Sequence, residues 1–136
     1  MIRILLVDNH PLVRRTIRTL LERNDGIDVV GEAKDGVEAV EQAAVLKPDV
    51  VVMDVKMPQM DGLQATKAIR AHQPKIGVVL ISMYSAADLD ESIHKVGAAA
   101  FVSKAAVLAE LLTAVRQAAG DVQPGTLSYF IHAGMI

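Results

Sequence analysis

Five short, mostly apolar runs, IRILLV at 2–7, DVVGEA at 28–33, VVVM at 50–53, IGVVLI at 76–81 and AAFVS at 99–103, recur through the chain, each followed by a longer amphipathic stretch. A run that is apolar at every position leaves no face for water, so it belongs in a sheet covered on both sides. A stretch long enough to carry a helix after each run makes the strands parallel, with right-handed crossovers. The pattern therefore reads as (βα)5, a doubly wound α/β fold.

The helical stretches support that reading one by one. His10 to Arg23 places Val13, Ile17, Leu20 and Leu21 at helical spacing, with Pro11 in the first turn and Asn24, Asp25 and Gly26 as the stop. Asp35 is the expected N-cap of a second helix, with Val37, Val40 and Ala44 on one face and Pro48 beyond its end. A third helix is expected from about Leu63 to Ala71, and a fourth carries Leu89, Ile93 and Val96. The last places Leu108, Leu111, Leu112 and Val115 on one stripe.

At 136 residues, half of them apolar and only 3% aromatic, the chain has enough Val, Ile, Leu and Ala for one buried core. The regular alternation ends near Ala119, so residues 1–119 are expected to form the domain and 120–136 a tail or truncated linker in which Tyr129 and Phe130 stand out. There is no cysteine, which excludes disulfides and thiolate metal sites. No apolar stretch approaches the ~20 residues of a membrane span and Met1 leads directly into the first run, so a cytoplasmic protein is expected. A net charge of −2 offers nucleic acid no electrostatic footprint, and direct DNA binding by this chain is not expected.

Four of the runs end on a residue able to handle a phosphoryl group: Asp8, Asp54, Ser82 and Lys104. Open α/β sheets bind ligands at the carboxyl ends of their strands, so these residues converge if the runs are neighbours. Each has an ordinary reading: turn acids for Asp8 and Asp54, a cap for Ser82, a solvated side chain for Lys104. Together they point elsewhere. Two carboxylates at adjacent strand ends repel one another, and a hard divalent cation with oxygen ligands, such as Mg²⁺, relieves the repulsion. A lysine on a flexible stem supplies a point charge for phosphate.

Four segments, VDNHPLVRR at Val7 to Arg15, DVVVMDVKMPQMDG at Asp49 to Gly62, Ser82 after the fourth run and GAAAFVSK at Gly97 to Lys104, resemble the receiver domains of two-component response regulators. The opening motif is most similar to the branch carrying a C-terminal helix-turn-helix output domain. The resemblance covers Met1 to about Ala119 and implies a flavodoxin-like sheet of order 2-1-3-4-5. It implies that Asp54 accepts phosphate from a sensor histidine kinase or phosphotransfer protein, that Asp8, Asn9, Asp54 and the backbone carbonyl of Lys56 hold Mg²⁺, and that Lys104 and Ser82 contact the phosphate. Ser82 and Phe101 would form the switch, and phosphorylation would alter a homodimerisation surface. Transcriptional control would pass through an output domain absent from these residues, and catalysis would be limited to the chain's own phosphorylation and dephosphorylation.

This sequence departs from the family pattern twice. Asn9 stands where most receivers have a second acid, which removes one negative charge from the metal site, and Ala105 stands where many have a proline, so the Lys104 loop is expected to run trans. Two other readings remain: a pseudo-receiver acting by protein contact, suggested by Asn9, and a flavodoxin-like small-molecule binder, which would need a Ser-, Thr- and Gly-rich phosphate loop where the chain has DNHPLVRR. Arg14, Arg15 and Arg18 cluster on the first helix as either a kinase-docking patch or a solvated face. His10, surrounded by oxygen donors with no second histidine in register, is expected to be a bystander rather than a ligand.

Overall fold

The computed structural model describes residues 1–83 and 90–120. Strands and helices alternate as β1 (Ile2–Val7), α1 (Pro11–Glu22), β2 (Ile27–Ala33), α2 (Gly36–Leu46), β3 (Val50–Asp54), α3 (Gly62–His72), β4 (Gly77–Ser82), α4 (Asp90–Val96), β5 (Ala100–Ser103) and α5 (Val107–Ala118). A single 3₁₀ turn, Lys104–Ala106, joins β5 to α5, and no described peptide bond is cis. Leu89, Tyr129 and Phe130 lie outside the described residues.

All strand pairs are parallel and the sheet order is β2-β1-β3-β4-β5. The chain moves outward from β1 to β2 in one direction and from β3 to β5 in the other. Its crossovers therefore diverge between β1 and β3, and a crevice opens there at the strands' carboxyl ends. The residues that end these strands are Val7, followed by Asp8, and Asp54 itself.

Every residue of β3 and β4 is buried, as full apolarity requires for central strands. One face packs Leu6, Val52 and Ile81 against Ile17 and Leu21 of α1 and Leu111 and Val115 of α5. On the other, Leu5, Val51 and Leu80 meet Ala39 and Ala43 of α2, Ile69 of α3, and Ile93 of α4.

Two helix faces differ in part from expectation, although Val40 of α2 and Leu111, Leu112 and Val115 of α5 pack against the core as expected. In α2 the fully buried residues are Gly36, Ala39 and Ala43, whereas Val37 and Ala44 face outward. This helix lies too close to its neighbours for larger side chains: a Cβ on Gly36 would sit 2.2 Å from the carbonyl oxygen of Met60. In α5 the stripe runs through Val107, Leu111 and Val115, while Leu108 is 82% exposed. Leu108 instead lines an apolar groove against Leu12 and Ile17 of α1.

The β3–α3 loop is tied at both ends, by Gly62 N donating to Val55 O at 2.8 Å and by a reciprocal cap between Asp61 and Gln64. Within it Gln59 has φ +67, a left-handed conformation that costs a residue with a Cβ about 1 kcal/mol or more. Gln59→Gly is accordingly expected to stabilise the fold by about 0.5–1 kcal/mol, read as a higher denaturant midpoint at unchanged m-value. A lower midpoint would show that the Gln59 side chain contributes more than its backbone strain removes.

Candidate functional site

The crevice gathers the strand-end residues named above. Asp8 is fully buried just beyond β1, and the backbone N–H of His10 donates to its Oδ1 at 2.8 Å, fixing the carboxylate's rotamer. Asp54, 3% exposed at the end of β3, accepts the Lys56 backbone N–H on Oδ1 at 3.2 Å. Lys104 leaves the end of β5 and crosses the pocket, its Nζ donating to Asp54 Oδ2 at 3.0 Å. The same ammonium lies 3.1 Å from Asp8 Oδ2, an ion-pair contact without the alignment of a hydrogen bond. His10, Lys56, Ser82 and Met83 complete the walls of the pocket around Asp54 and Lys104.

One ammonium facing two carboxylates leaves negative charge uncompensated. Burial pushes the Asp54 carboxyl above its ordinary range; the Lys104 hydrogen bond opposes this and the Asp8 charge adds to it. For Lys104, burial works against the charged form, but its hydrogen bond to Asp54 and the field of both carboxylates hold its pKa above the usual value. Two oxygens, Asp8 Oδ2 and Asn9 Oδ1, are buried with no hydrogen-bond partner. Of these, Asp8 Oδ2 is partly neutralised by the Lys104 ammonium, while a buried oxygen without a partner such as Asn9 Oδ1 is costly; the Asp8 and Asp54 carboxylates are oxygen donors of the type hard divalent cations take. The acidic cluster can hold a metal ion.

The structure thus brings Asp8, Asp54 and Lys104 into direct contact and places Ser82 on the same pocket, while Asn9 follows Asp8 with its side-chain oxygen buried and without a hydrogen bond. Phe101 is in the core, fully buried beside Leu80, and does not line the pocket. The arginine cluster divides: Arg15 is exposed, but Arg14 and Arg18 converge on Glu32 of β2, with Arg14 Nε 2.7 Å from its Oε1 and Arg18 Nη1 2.5 Å from its Oε2. Burial alone would raise the Glu32 carboxyl, and the two arginines bring it below its ordinary value. Through Nη1, Arg14 also donates to the backbone carbonyl of Asp8 at 2.5 Å. Sequence reasoning missed Glu32; the available signal was an acid near the carboxyl end of β2, on the sheet edge that Asp8 shares.

The family profile for the response regulator receiver domain matches residues 4–116. Response regulator GacA of Pseudomonas viridiflava is 44% identical over 116 residues, which cover 85% of this chain and 54% of that protein. The signal receiver domain of NarL from Mycobacterium tuberculosis superposes with a TM-score of 0.83 at 34% identity, covering 89% of this chain and 98% of that one. A LuxR-family two-component response regulator from an Aurantimonas species gives a TM-score of 0.86 at 32% identity, over 98% and 96% of the two chains. The chain spans about half the length of the curated relatives it matches. Among the described residues no helix is long and apolar enough to cross a membrane.

Proposed function

The chain belongs to the response regulator receiver domain family, and from that premise we propose that it is the phosphoacceptor module of a two-component system, taking a phosphoryl group from a histidine kinase or phosphotransfer protein onto Asp54. The observation that carries this reading is the contact of a buried Asp54 carboxylate with the Lys104 ammonium at 3.0 Å, beside Asp8 and at the crevice where the crossovers diverge.

A carboxylate oxygen of Asp54 attacks phosphorus, the new O–P bond forming as the P–N bond of the donor's phosphohistidine breaks. Because such transfers pass through a loose transition state, the protein's task is to position groups and neutralise charge. The Lys56 N–H holds the Asp54 carboxylate in place, Lys104 balances charge on one phosphoryl oxygen, and the Ser82 hydroxyl is placed on the pocket wall to donate to another. Asp8, Asn9, Asp54 and the Lys56 carbonyl would hold Mg²⁺, which when bound offsets the repulsion between the two carboxylates and the incoming phosphoryl charge. Asn9 supplies an oxygen but no charge, so affinity for Mg²⁺ is expected to fall below that of a site with a second acid.

Contact of Ser82 and Lys104 with phosphate on Asp54 gives the two conformations different energies, the requirement for any ligand-driven shift. The Ser82 hydroxyl lies at the end of β4, and Phe101 pairs with Leu80 on the adjacent strand. Movement there would reach the surface formed by α4, β5 and α5 and control homodimerisation or an output domain beyond these residues. Catalysis is confined to the chain's own aspartate. Incubation with acetyl phosphate and Mg²⁺ is expected to add one phosphoryl group by intact mass; a chain that remains unmodified at saturating Mg²⁺ refutes the reading.

Arg14 acts one step behind these residues. It grips the Asp8 carbonyl while Glu32 anchors it to β2, so it sets the position of the loop carrying Asp8 and Asn9. Arg14→Ala is expected to weaken divalent-cation binding by about tenfold, the scale seen when groups that orient metal ligands are removed. Isothermal titration at a temperature where both proteins are folded checks this, and equal affinities would show that the carbonyl contact does not position the site.

A further inference from the structure

Leu12, Met83 and Leu108 are 74%, 80% and 82% exposed, and all three stand around one groove of about 470 Å³ between α1 and α5. Val13 and Leu20 of α1 and Val107 of α5 line the same groove. A contiguous apolar surface of this kind marks a place that another segment or molecule covers.

The chain itself supplies a candidate cover. At the end of α5, Gly120 adopts φ +85 and donates its N–H to Gln117 O at 3.0 Å, the bond of a left-handed helix cap that turns the chain off the helix axis. Residues 121–136 follow and lie outside the described residues. Among them VQPGTLSYFI, at 122–131, carries no charged side chain, so no ion has to be desolvated when it is covered. In an extended segment Leu127, Tyr129 and Ile131 share one side. Leu108 stands about 18 Å along α5 from Gly120 at a helical rise per residue. The stretch from Asp121 to Tyr129 spans about 30 Å when extended. It therefore reaches the far end of the groove with slack for a turn at Pro124 and Gly125.

We propose that residues 127–131 run back along α5 and seat in the α1–α5 groove, with Leu127, Tyr129 and Ile131 inward and the Tyr129 ring over Leu12 and Leu108. An aromatic ring seated in this way buries about 150–250 Å². Met83 and Lys104 line both the groove and the pocket around Asp54, so the seated segment borders that pocket. The proposal requires no chemistry at Asp54 and stands apart from the phosphoacceptor reading.

The first test follows chymotryptic cleavage within residues 127–131 of the full chain by mass, comparing wild type with Leu108→Asp and Val45→Asp. Leu108 is exposed in the first turn of α5, where an acid suits the helix dipole, so this variant keeps its fold. Val45, 78% exposed on α2 across the sheet, is the control. Leu108→Asp is expected to speed cleavage at least about tenfold, as release of a segment covered roughly nine-tenths of the time requires, and Val45→Asp to stay within about twofold of wild type. Equal rates in wild type and Leu108→Asp, or equal acceleration by Val45→Asp, overturn the proposal. The second test uses methyl-labelled protein at a concentration where sedimentation gives a monomer. Nuclear Overhauser contacts are expected between the Tyr129 ring and the methyls of Leu12 and Leu108, and their loss in Tyr129→Ser. A Tyr129 ring that touches neither leucine overturns the proposal. So do contacts that join a labelled copy to an unlabelled one, which would assign the groove to a second copy of the chain.

Discussion

Asp54→Ala is expected to eliminate phosphoryl incorporation, leaving the intact mass unchanged after incubation with acetyl phosphate and Mg²⁺. The effect is complete rather than partial because no second carboxylate can substitute: Asp8 is fully buried and oriented by the His10 N–H, whereas Asp54 faces the pocket. A phosphoryl group that still appears on the variant would move the acceptor elsewhere. Stability should change in the opposite direction to function. Burial, reinforced by Asp8 and opposed by Lys104, raises the Asp54 pKa, so the folded chain holds that proton more tightly than the unfolded one does. The associated stability is present below the ordinary carboxylate range and is lost as pH rises through the raised value. At neutral pH the wild type therefore carries the cost of an ionised, buried acid. Asp54→Asn is expected to melt at a higher temperature than the wild type at pH 7, with the gap closing as the solution is acidified; a gap that widens toward low pH would contradict the sign of the shift.

Gly62→Ala is expected to damage both the fold and the site. A Cβ at this position would lie 2.3 Å from the carbonyl oxygen of Asp54 and 2.9 Å from the Cα of Val55, both backbone atoms that cannot rotate away. Relief requires α3 to retreat from the end of β3, breaking the Gly62 to Val55 hydrogen bond and displacing Asp54. Overpacking of this severity costs about 3 kcal/mol, a drop in melting temperature on the order of 10 °C. Gly26→Ala is the control. Nothing stands within 4 Å of its Cβ, so only the strain of φ +86 remains, worth about 1 kcal/mol. Denaturant titration of both variants tests the contrast, and equal losses would show that the approach of Gly62 to Asp54 relaxes without consequence.

Much of the architecture was legible because β3 and β4 are apolar at almost every position and each ends on a polar residue that a buried strand would not otherwise contain. Asp35 was readable as an N-cap for the same local reason, and its side chain accepts the Glu38 N–H at 2.8 Å. The faces of α2 and α5 were readable only in part: Val40, Leu111, Leu112 and Val115 pack against the core, whereas Val37, Ala44 and Leu108 do not. Helical spacing gives the period of a stripe but not the separation of the packed backbones, and in α2 that separation favours Gly36, Ala39 and Ala43 over Val37 and Ala44. Leu108 likewise matched the period of α5, yet it faces α1 across an open groove.

The alternation of apolar runs and amphipathic segments determined a doubly wound parallel sheet, and the four strand-end residues together with the flanking motifs determined the family and the crevice in which to look. Those features depend on local periodicity and on neighbours in the chain, which a sequence carries explicitly. Only the tertiary structure decided that Lys104 reaches Asp54 and Asp8 simultaneously, that Arg14 and Arg18 converge on Glu32 while Arg14 also holds the Asp8 carbonyl, and that the His10 ring nitrogen lies beside both carboxylates. Each of these is a distance of 4.0 Å or less, most of them between groups delivered by different strands, helices and loops. Electrostatic and coordinate interactions act over that distance, and it is set by how strands register and helices pack rather than by separation along the chain.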